Sequence, residues 1–598
     1  MKKILLLALW LAFNYNSSAQ VFDWVRTTGG PAGESASKIA TDALGNVYAM
    51  GSYTGTLDIN PSSGTLNVTA VGGTDIYIQK FDASGTFING ISIGGPGNDT
   101  PGDILIDNNG YVTVAGTFEQ VIDLDPSPAQ NGHAVYNFGT SKDFFIAKYD
   151  DLAYAFSRSI GGAGDDVVNA MDVDSNNNLV LTGIYRQTVD FNPNINITNS
   201  LTTTSGGEAY VLKLDEHLDY VWVKSFATTN SNGGVGTTIR CDSTDNILVG
   251  GTFRGTTDFD PNAGVQNETA QTNFSAGFIV KLNSSGDYSW KATLNTTNNN
   301  AAGVIYNGSP ETWLRDLTID TNDNIIAVGT FRGRNVDFNP TSGTVTFNSD
   351  IYVQTNPDIS TYKNTGYIWK LNSTGDYEWA GLIKNGGTNT FLPFVDVSPL
   401  SVAVDELNDF YVTGFFKGII DLNTGSGNNS VTNNVDYDSF IFKNNSSNNA
   451  YVWGRRITST DDACYVNDLH IFENKLLLSG RFGGTGSFDP NNISAQTVTS
   501  QGDFDVFLLS LTETSLNTAS FEKNDFVIYP NPVTTALAIQ STLNDFDYKM
   551  YTADGKVVKQ GTIDATRSSI DVSTLPSGLY FIHFESDGYQ TVRKIIKQ

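Results

Sequence analysis

A short apolar run that ends in glycine, with an aromatic residue two positions later, recurs seven times along the chain. Its glycines are Gly51, Gly116, Gly183, Gly251, Gly329, Gly414 and Gly480. The residues before each glycine are apolar at consecutive positions, which predicts a strand buried on both faces. A motif repeated at this period indicates one structural unit used seven times.

Each unit contains more than this central strand. A polar turn precedes it and opens with an aspartate in six units: Asp42, Asp107, Asp174, Asp242, Asp320 and Asp405. The seventh unit has a shorter turn, with Phe472 in that place. A third strand follows, around Tyr77, Phe145, Tyr210, Phe278, Tyr367, Phe440 and Phe507, and then a fourth around Phe156, Trp222, Trp290, Trp379 and Trp453. Four short strands per repeat predict the blades of an all-β, seven-bladed β-propeller.

The ends of the repeat region predict how the ring closes. The seventh unit stops at Leu511 without a fourth strand, whereas a spare strand with Trp24 at its centre precedes the first unit. Pairing of the spare strand with the last unit would close the ring and remove its open sheet edges. The predicted propeller covers residues 20–511. These units resemble secreted bacterial β-propeller repeats, with Asp-x-x-Gly-Asn, an apolar strand, glycine and a later lysine, and this resemblance implies fold and export rather than an activity.

The first nineteen residues have the composition of a secretory signal peptide. Lys2 and Lys3 are followed by an apolar run from Ile4 to Phe13 and by small residues up to Ala19. The apolar run is too short to span a bilayer, and no later stretch is apolar enough to do so. We therefore expect a soluble mature protein without a transmembrane segment that begins at Gln20.

Composition narrows the class of partner. Hydrophobic residues make up 39% of the chain, enough for a core, and only 16% of residues are charged. The net charge of −28 repels phosphate backbones, so nucleic-acid binding is disfavoured. We expect a monomer.

The end of the chain has a different pattern. A polar linker over residues 512–524 precedes short alternating strands over residues 525–598, which predict a small Ig-like β-sandwich. This segment resembles the type A C-terminal sorting domain of the type IX secretion system of Bacteroidota. The matching residues are Tyr529, Pro530, Asn531, Pro532, Gly555, Gly578, Tyr580, Lys594 and Lys597. The resemblance implies contact with the type IX machinery and delivery through the periplasm to the surface or the medium. The alternative is an adhesive Ig-like module.

No sequence motif for catalysis is present. The four histidines fall in a loop (His133), a turn (His217), the first strand of blade seven (His470) and the tail (His583), without a nucleophile or metal motif around them. Structural histidines are the favoured interpretation, so no catalytic residue is assigned and the question of an enzyme stays open. The alternative function is a polysaccharide-active lyase or hydrolase that uses acidic residues on the propeller face.

The best-repeated polar motif is an aspartate, an apolar residue, then Asp or Asn and usually proline. It follows the second strand and begins at Asp58, Asp123, Asp190, Asp258, Asp337 and Asp421, with Ser487-Phe488-Asp489-Pro490 in blade seven. A ring of carboxylates would suit Ca²⁺, but repetition in every blade favours turn capping. An architectural role is also favoured for Asp172, Asp174 and Asn176. These residues resemble the start of a calcium loop, but the glutamate that such a loop has further along the chain is missing. We expect no resident cofactor or metal, with Ca²⁺ as the alternative.

The repeats differ most around blade five, where segments 295–310, 341–365 and 385–399 are insertions. The aromatics brought by these segments or adjoining them are Tyr306, Trp313, Tyr352, Tyr362, Phe391 and Phe394. Exposed aromatics suit contact with a glycan or a surface protein, and packing against one another is the alternative. The leading hypothesis is a secreted, non-enzymatic binding protein, and a structural adhesin is the third.

Overall fold

The computed structural model describes residues 18–127, 134–136, 141–203, 206–229, 233–271, 274–296, 305–307, 310–353, 359–386, 396–433, 435–491, 496–515, 526–541, 546–552, 556–563, 569–586 and 589–598. Residues 20–513 form one compact unit, and the residues from 514 onward belong to a second.

The described part of the first unit contains seven four-stranded antiparallel sheets, the blades. Blades one to three are Ser35–Thr41, Val47–Tyr53, Asp75–Phe81, Phe87–Ile93; Thr100–Ile106, Val112–Glu119, Lys142–Asp150, Ala153–Gly162; and Val167–Val173, Leu179–Tyr185, Glu208–Leu214, Tyr220–Ser225. Blades four to six are Val235–Cys241, Ile247–Phe253, Ala276–Leu282, Tyr288–Leu294; Glu311–Ile319, Ile325–Arg332, Thr365–Leu371, Tyr377–Asn385; and Asp396–Val404, Phe410–Lys417, Asp438–Asn444, Tyr451–Ser459. Blade seven is Cys464–Phe472, Lys475–Phe482, Asp505–Ser515 and, as its fourth strand, Ser18–Thr28.

The seven first strands contact one another in order, and the first strand of blade seven contacts that of blade one. The blades therefore form a closed ring with the first strands at its centre. Third strands such as Glu208–Leu214 and Ala276–Leu282 are buried along their whole length, because each sheet packs against a neighbour on both faces. The all-β propeller predicted from the repeat is confirmed.

Ring closure occurs as the sequence predicts. The strand Ser18–Thr28 pairs beside Asp505–Ser515 and becomes the outer strand of blade seven. Trp24 is buried and stacks on Phe81 of blade one with ring centroids 6.5 Å apart. Asp23 accepts a hydrogen bond from Ser510 and pairs with Lys475 at 3.0 Å. The N-terminal strand thus joins the last blade to the first.

The last propeller strand continues beyond Leu511. Glu513 lies 2.9 Å from the Lys443 ammonium of blade six and accepts a hydrogen bond from the Trp453 indole at 3.2 Å. These contacts hold the end of the strand against its neighbour, which sequence periodicity alone did not indicate.

The repeated turn aspartate and the repeated third-strand lysine form a buried ion pair within a blade. Lys148 and Asp107 are 2.6 Å apart and almost fully buried, and Lys213–Asp174, Lys281–Asp242 and Lys443–Asp405 repeat the contact at 2.7 to 3.1 Å. The other carboxylate oxygen of Asp107 accepts the amides of Asn109 and Tyr111 and closes the turn. Burial raises the pKa of Asp242, but its bonds with Lys281 and with Asn246 and Thr244 outweigh this and lower it to about 2.

A short hairpin follows the second strand of every blade and carries the repeated aspartate motif. The hairpins are Thr56–Asp58 with Asn67–Thr69, Val121–Asp123 with Ala134–Tyr136, Thr188–Asp190 with Ser200–Thr202, Thr256–Asp258 with Asn267–Thr269, Val336–Asp337 with Thr346–Phe347, Ile419–Asp421 with Ser430–Thr432 and Thr485–Ser487 with Thr497–Thr499. Asp58 accepts the amides of Asn60 and Leu66, and Asp190, Asp258, Asp337 and Asp421 repeat this pair of bonds. The apolar residue between, such as Ile59 or Phe191, is fully buried. These aspartates cap turns, as the architectural interpretation expects.

The second unit is a two-sheet sandwich, as predicted. One sheet comprises Phe526–Tyr529, Ala536–Ser541 and Ser569–Asp571, and the other comprises Phe546–Thr552, Val557–Ile563, Gly578–Ser586 and Tyr589–Lys597. Its core contains Leu537, Met550, Ile582 and Phe584, all almost completely buried.

Ring closure can be tested by removing the closing strand. Deletion of Val21 to Thr28 should expose the edge of Asp505–Ser515 and cause aggregation or a clear fall in melting temperature, because an unpaired edge and an apolar face become accessible. Trp24→Ala should cost about 3–5 kcal/mol as a large buried side chain, whereas the exposed Val21→Ala should change little. An unchanged melting curve after the deletion would show that the ring does not depend on this strand.

The buried ion pair makes a second prediction within blade two. Lys148→Met leaves Asp107 buried without its cation and should lower the free energy of unfolding by about 3–5 kcal/mol. Lys142→Met removes a partly exposed pair with Glu119 at 3.4 Å and should cost about 0–1 kcal/mol. Denaturant unfolding of the two variants measures the difference, and equal losses would contradict the assigned role of the buried pair.

Candidate functional site

The first strands of the seven blades surround a central channel with a cavity of about 280 Å³. Its charged lining side chains are Lys38, Asp103, Asp172, Arg240, Arg315, Asp316 and Asp468, and His470 lies among them. Every first strand has a bulge in its middle, which turns additional side chains toward this channel.

In blades two, five and seven the residue after the bulge is an aspartate that joins neighbouring blades. Asp103 of blade two accepts the amide of Met171 in blade three at 2.9 Å, and Asp468 of blade seven accepts that of Ile39 in blade one at 3.0 Å. Asp316 bonds in the same way to Val402 of the next blade at 3.1 Å. The channel carboxylates therefore hold first strands together and are not free acceptors.

Burial shifts the pKa of two channel carboxyl groups and of the channel histidine. Burial raises the pKa of Asp103 to about 6 against the opposing charge of Lys38, and burial also raises that of Asp172. Burial lowers the pKa of His470, whose Nε2 lies 2.8 Å from the Thr41 hydroxyl. Burial thus favours the neutral form of His470, which is hydrogen-bonded across the seam between blades seven and one.

The bulged residue itself forms a second layer of bonds between blades. Asn169, Thr237 and Asn467 each donate to a backbone carbonyl of the next blade, at 2.7 to 3.0 Å. Blade five has Arg315 at this position, and its guanidinium is exposed to the channel. Although Arg315 is exposed to the channel, the surrounding walls partly desolvate its guanidinium and lower its pKa.

Two of the three insertions around blade five meet in a small sheet. Ile305–Asn307 pairs in parallel with Ile359–Tyr362, which pairs on its other side with Ile351–Val353. The register places Tyr306 opposite Ser360 and Tyr352 opposite Thr361. The backbone of these two predicted aromatics therefore flanks one strand.

The other predicted aromatics lie in different surroundings. Tyr362 is buried, whereas Trp313 is partly exposed and has the Arg332 guanidinium 4.8 Å above its ring. Arg332 is held by Glu311 at 2.6 Å. Phe391 and Phe394 lie outside the described residues, as does His133.

A group of half-buried aromatic rings that the sequence reasoning missed lies on blades six and seven. We call Phe415, Tyr437, Tyr465 and Phe504 the aromatic cluster. Tyr465 is 5.1 Å from Phe415, 5.7 Å from Tyr437 and 6.2 Å from Phe504 between ring centroids. Arg481 lies 5.2 Å from the ring of Tyr465 and 5.0 Å from that of Phe504, and Lys417 lies over Tyr437.

The aromatic cluster is on the same face of the ring as the insertions. That face carries the starts of first and third strands and the ends of second and fourth strands, and we call it the insertion face. Asp396 links the two regions, because it accepts hydrogen bonds from Asn364 of blade five at 2.7 Å and from the Tyr437 hydroxyl at 3.2 Å.

Alignment of the seven first strands contains a signal that could have found the cluster. The position two residues before the bulged one is Ser35, Thr100, Val167, Val235, Trp313, Ser398 and Tyr465. Aromatic residues occupy it only in blades five and seven, and each is covered by an arginine. Trp313 and Tyr465 are therefore equivalent residues two blades apart.

Residues 527–598 match the model of the secretion system C-terminal sorting domain family. The chain is a β-propeller protein with a type IX sorting tail. The predicted export follows from this domain: the protein is delivered by type IX secretion to the cell surface or the extracellular space and interacts with the type IX machinery.

The predicted sorting residues cluster where the tail's first turn meets its last strand. Asn531 donates to the carbonyl of Lys594 at 2.7 Å and accepts the amide of Ile596 at 2.9 Å. Pro530 and Pro532 have cis peptide bonds in this turn, next to the exposed Tyr529. Tyr580 is buried and donates to Pro576 at 2.8 Å.

Three other predicted sorting residues lie on the last two strands of this unit. Gly578 is exposed at the start of its strand, opposite Lys597, while Lys594 is exposed on the final strand. Gly555 lies outside the described residues.

Other similar proteins are more distant. A 274-residue stretch is 24% identical to the uncharacterized WD repeat-containing protein L264 of Acanthamoeba polyphaga mimivirus and covers 41% of this chain, but only 18% of that protein's length. The Dos1 propeller is 10% identical, with 82% of this chain and 95% of that chain covered and a TM-score of 0.35. A PL25 ulvan lyase is 11% identical, with 77% and 93% covered and a TM-score of 0.37. In the described ranges, no helix is long and apolar enough to cross a membrane.

Export through the tail can be tested by truncation. Deletion of Asp525 to Gln598 should leave the propeller in the periplasm, because the sorting domain that the machinery reads is gone. Fractionation of cells and medium with detection of the propeller measures this. Normal surface delivery of the truncated chain would contradict the assignment of the tail as the address.

Proposed function

We propose that the protein is a secreted or surface-displayed, non-enzymatic binding protein that recognises a neutral glycan on the insertion face of blades five to seven. The aromatic cluster carries this proposal. Its four rings are half-buried and lie against one another, and partly exposed aromatic rings bind the apolar faces of sugar rings.

The charges around the cluster favour a neutral ligand over an anionic one. Lys417 and Arg481 already lie against aromatic rings, and Lys417 pairs with Asp436. The nearby carboxylates of Asp396 and Asp462 add negative charge. The net charge of −28 repels a polyanionic polysaccharide at long range. Hydroxyl-rich, uncharged chains fit this surface best.

The channel contacts support binding rather than catalysis. Asp103, Asp316 and Asp468 accept backbone amides of the next blade, so their positions are explained by the joining of blades. The alternative, a polysaccharide lyase or hydrolase, has one specific observation in its favour. Asp103, whose pKa burial raises to about 6, and His470, whose pKa burial lowers, line one polar cavity, and such groups suit general acid–base chemistry. A purely structural adhesin is the third candidate.

A glycan array on the purified chain tests the proposal. Binding to neutral glycans should weaken by roughly 1–3 kcal/mol in Tyr465→Ala with Phe504→Ala, the usual range for aromatic anchors. Trp313→Ala with Tyr352→Ala tests the insertion around blade five in the same way, since Trp313 is the equivalent of Tyr465. Melting curves establish that both double variants fold.

The outcomes separate the candidates. Unchanged glycan binding in both folded double variants would place the site elsewhere and contradict the proposal. Unfolding of either variant would show that those aromatics form a small core. Release of shortened or unsaturated sugars, abolished by Asp103→Asn, would establish the enzyme instead.

A further inference from the structure

Three consecutive junctions between blades bring two buried carboxyl groups together. An acidic residue follows a glycine pair just before the first strands of blades one, two and three, in Gly29-Gly30 to Glu34, Gly94-Gly95 to Asp99 and Gly161-Gly162 to Asp166. A second acid lies at the start of the third strand of the preceding blade: Asp505 and Asp75 are the first residues of their strands, and Asp143 is the second residue of its strand. The three pairs occupy equivalent positions.

Backbone hydrogen bonds place the two acids of each pair side by side. The amide of Asp99 bonds to the carbonyl of Thr74, directly before Asp75, at 2.7 Å. Glu34 bonds in the same way to Phe504 at 3.1 Å, and Asp166 to Lys142 at 2.8 Å. These bonds make the juxtaposition a property of the fold rather than of a side-chain rotamer.

The glycine pair is required by this arrangement. A Cβ atom on Gly94 would lie 2.1 Å from the carboxyl carbon of Asp75, and Gly29 and Gly161 stand equally close to Asp505 and Asp143. The missing side chain leaves room for the second carboxylate.

The pairs have oxygen atoms that the described protein does not satisfy. Asp99 is completely buried, and neither of its carboxylate oxygens accepts a hydrogen bond of normal geometry, although the backbone amides of Gly95 and Glu119 lie close enough to favour its charged form. One oxygen each of Glu34, Asp75, Asp505 and Asp166 is likewise buried without a partner. Buried charged oxygens in this state are costly unless a cation or a proton neutralises them.

The junctions with a single acid show that the fold neutralises an acid when it stands alone. Glu208 faces Gly234 and accepts the Tyr185 hydroxyl at 2.8 Å. Asp438 faces Cys464 and has Thr458 at 2.8 Å and Arg456 at 3.4 Å. The two remaining junctions, Ala276 with Thr312 and Thr365 with Val397, have no acid at either position. The single acids have hydroxyl or arginine partners, whereas Glu34, Asp75, Asp166 and Asp505 each accept a backbone amide on one oxygen and have no hydrogen-bond partner on the other.

The electrostatics agree with a missing positive charge. Burial and the neighbouring acid raise the pKa of Glu34 and of Asp99 to about 7, although the Gly30 amide opposes the shift at Glu34. Burial raises the pKa of Asp166 to about 7, with Asp143 adding to the shift and the Arg186 amide opposing it. Glu119 adds a further negative charge near Asp99. Without a cation, two like charges at each junction disfavour ionisation.

We propose that each of these three junctions binds one Ca²⁺ ion, held between its two carboxylates and thereby joining adjacent blades. Carboxylate oxygens are the ligands that Ca²⁺ prefers, and extracellular modules bind it at 10⁻⁴–10⁻³ M. The described residues contain no group of three acidic, histidine or cysteine side chains that would bind a metal, so backbone carbonyls and water would complete the shell. The proposal does not depend on the glycan ligand.

Calcium counting on the mature, secreted chain tests the proposal. After removal of calcium with a chelator, equilibrium dialysis against CaCl₂ should return three ions per chain, and MgCl₂ should not replace them. Millimolar calcium should raise the melting temperature by roughly 5 °C or more, because an ion that binds only the folded state stabilises it.

Variants assign the ions to the junctions. Asp99→Asn should reduce the count from three to two, and Glu34→Gln, Asp99→Asn and Asp166→Asn together should abolish binding. Glu208→Gln changes the single acid of the next junction and should leave three ions bound. If the triple variant does not fold, the calcium counts on the natural chain and on the Asp99→Asn variant still decide whether the junctions bind calcium.

The competing explanation is that a proton, rather than Ca²⁺, neutralises the two carboxyl groups of each junction. The dependence of stability on pH distinguishes the two. Because the folded pKa values lie above the unfolded values near 4, protonated pairs would stabilise the fold at low pH and lose that contribution as pH rises through 7. A calcium-free chain that gains stability from pH 8 to pH 5, with no calcium bound at either pH, would overturn the proposal.

Discussion

The apolar character of both faces of every blade is the constraint on which the propeller depends. A sheet such as that of blade three, with a fully buried third strand, is stable only between two neighbours. No end blade can satisfy this condition in an open row, so the row must become a ring. The strand Ser18–Thr28 meets the condition for the last blade, because it completes the sheet of Asp505–Ser515 while Trp24 packs on blade one.

Much of this architecture could be predicted because it repeats. The buried strand, the turn aspartate and the third-strand lysine each recur, and the structure shows why, since Lys148 and Asp107 form one buried pair that closes a turn. The closing strand was also predictable, since the seventh repeat lacks a fourth strand and a spare strand precedes the first repeat. The sorting tail could be recognised because its turn residues stand in a fixed order along the sequence.

The candidate sites were less accessible to sequence reasoning, because they arise between repeats. Insertion length drew attention to Trp313 but not to Tyr465, which occupies the same position in a blade of ordinary length. The acidic pairs join residues of different blades, such as Asp75 and Asp99, whose partnership depends on a backbone bond to Thr74. Bulges turn Asp103 and Arg315 toward the channel, and a bulge has no signature in a hydrophobic pattern.

The position of the closing strand has a consequence for how the chain folds. A chain that enters the periplasm N-terminus first delivers Trp24 long before its partner strand near Phe507 is available. The early strand must wait, unpaired, until nearly the whole propeller has crossed, and the ring forms through a contact between distant parts of the sequence. Such contacts are slow to form. The ring can therefore close only after Asp505–Ser515 has crossed, and until then the edge of the N-terminal strand and its Trp24 side chain lack the partners they have in the folded ring.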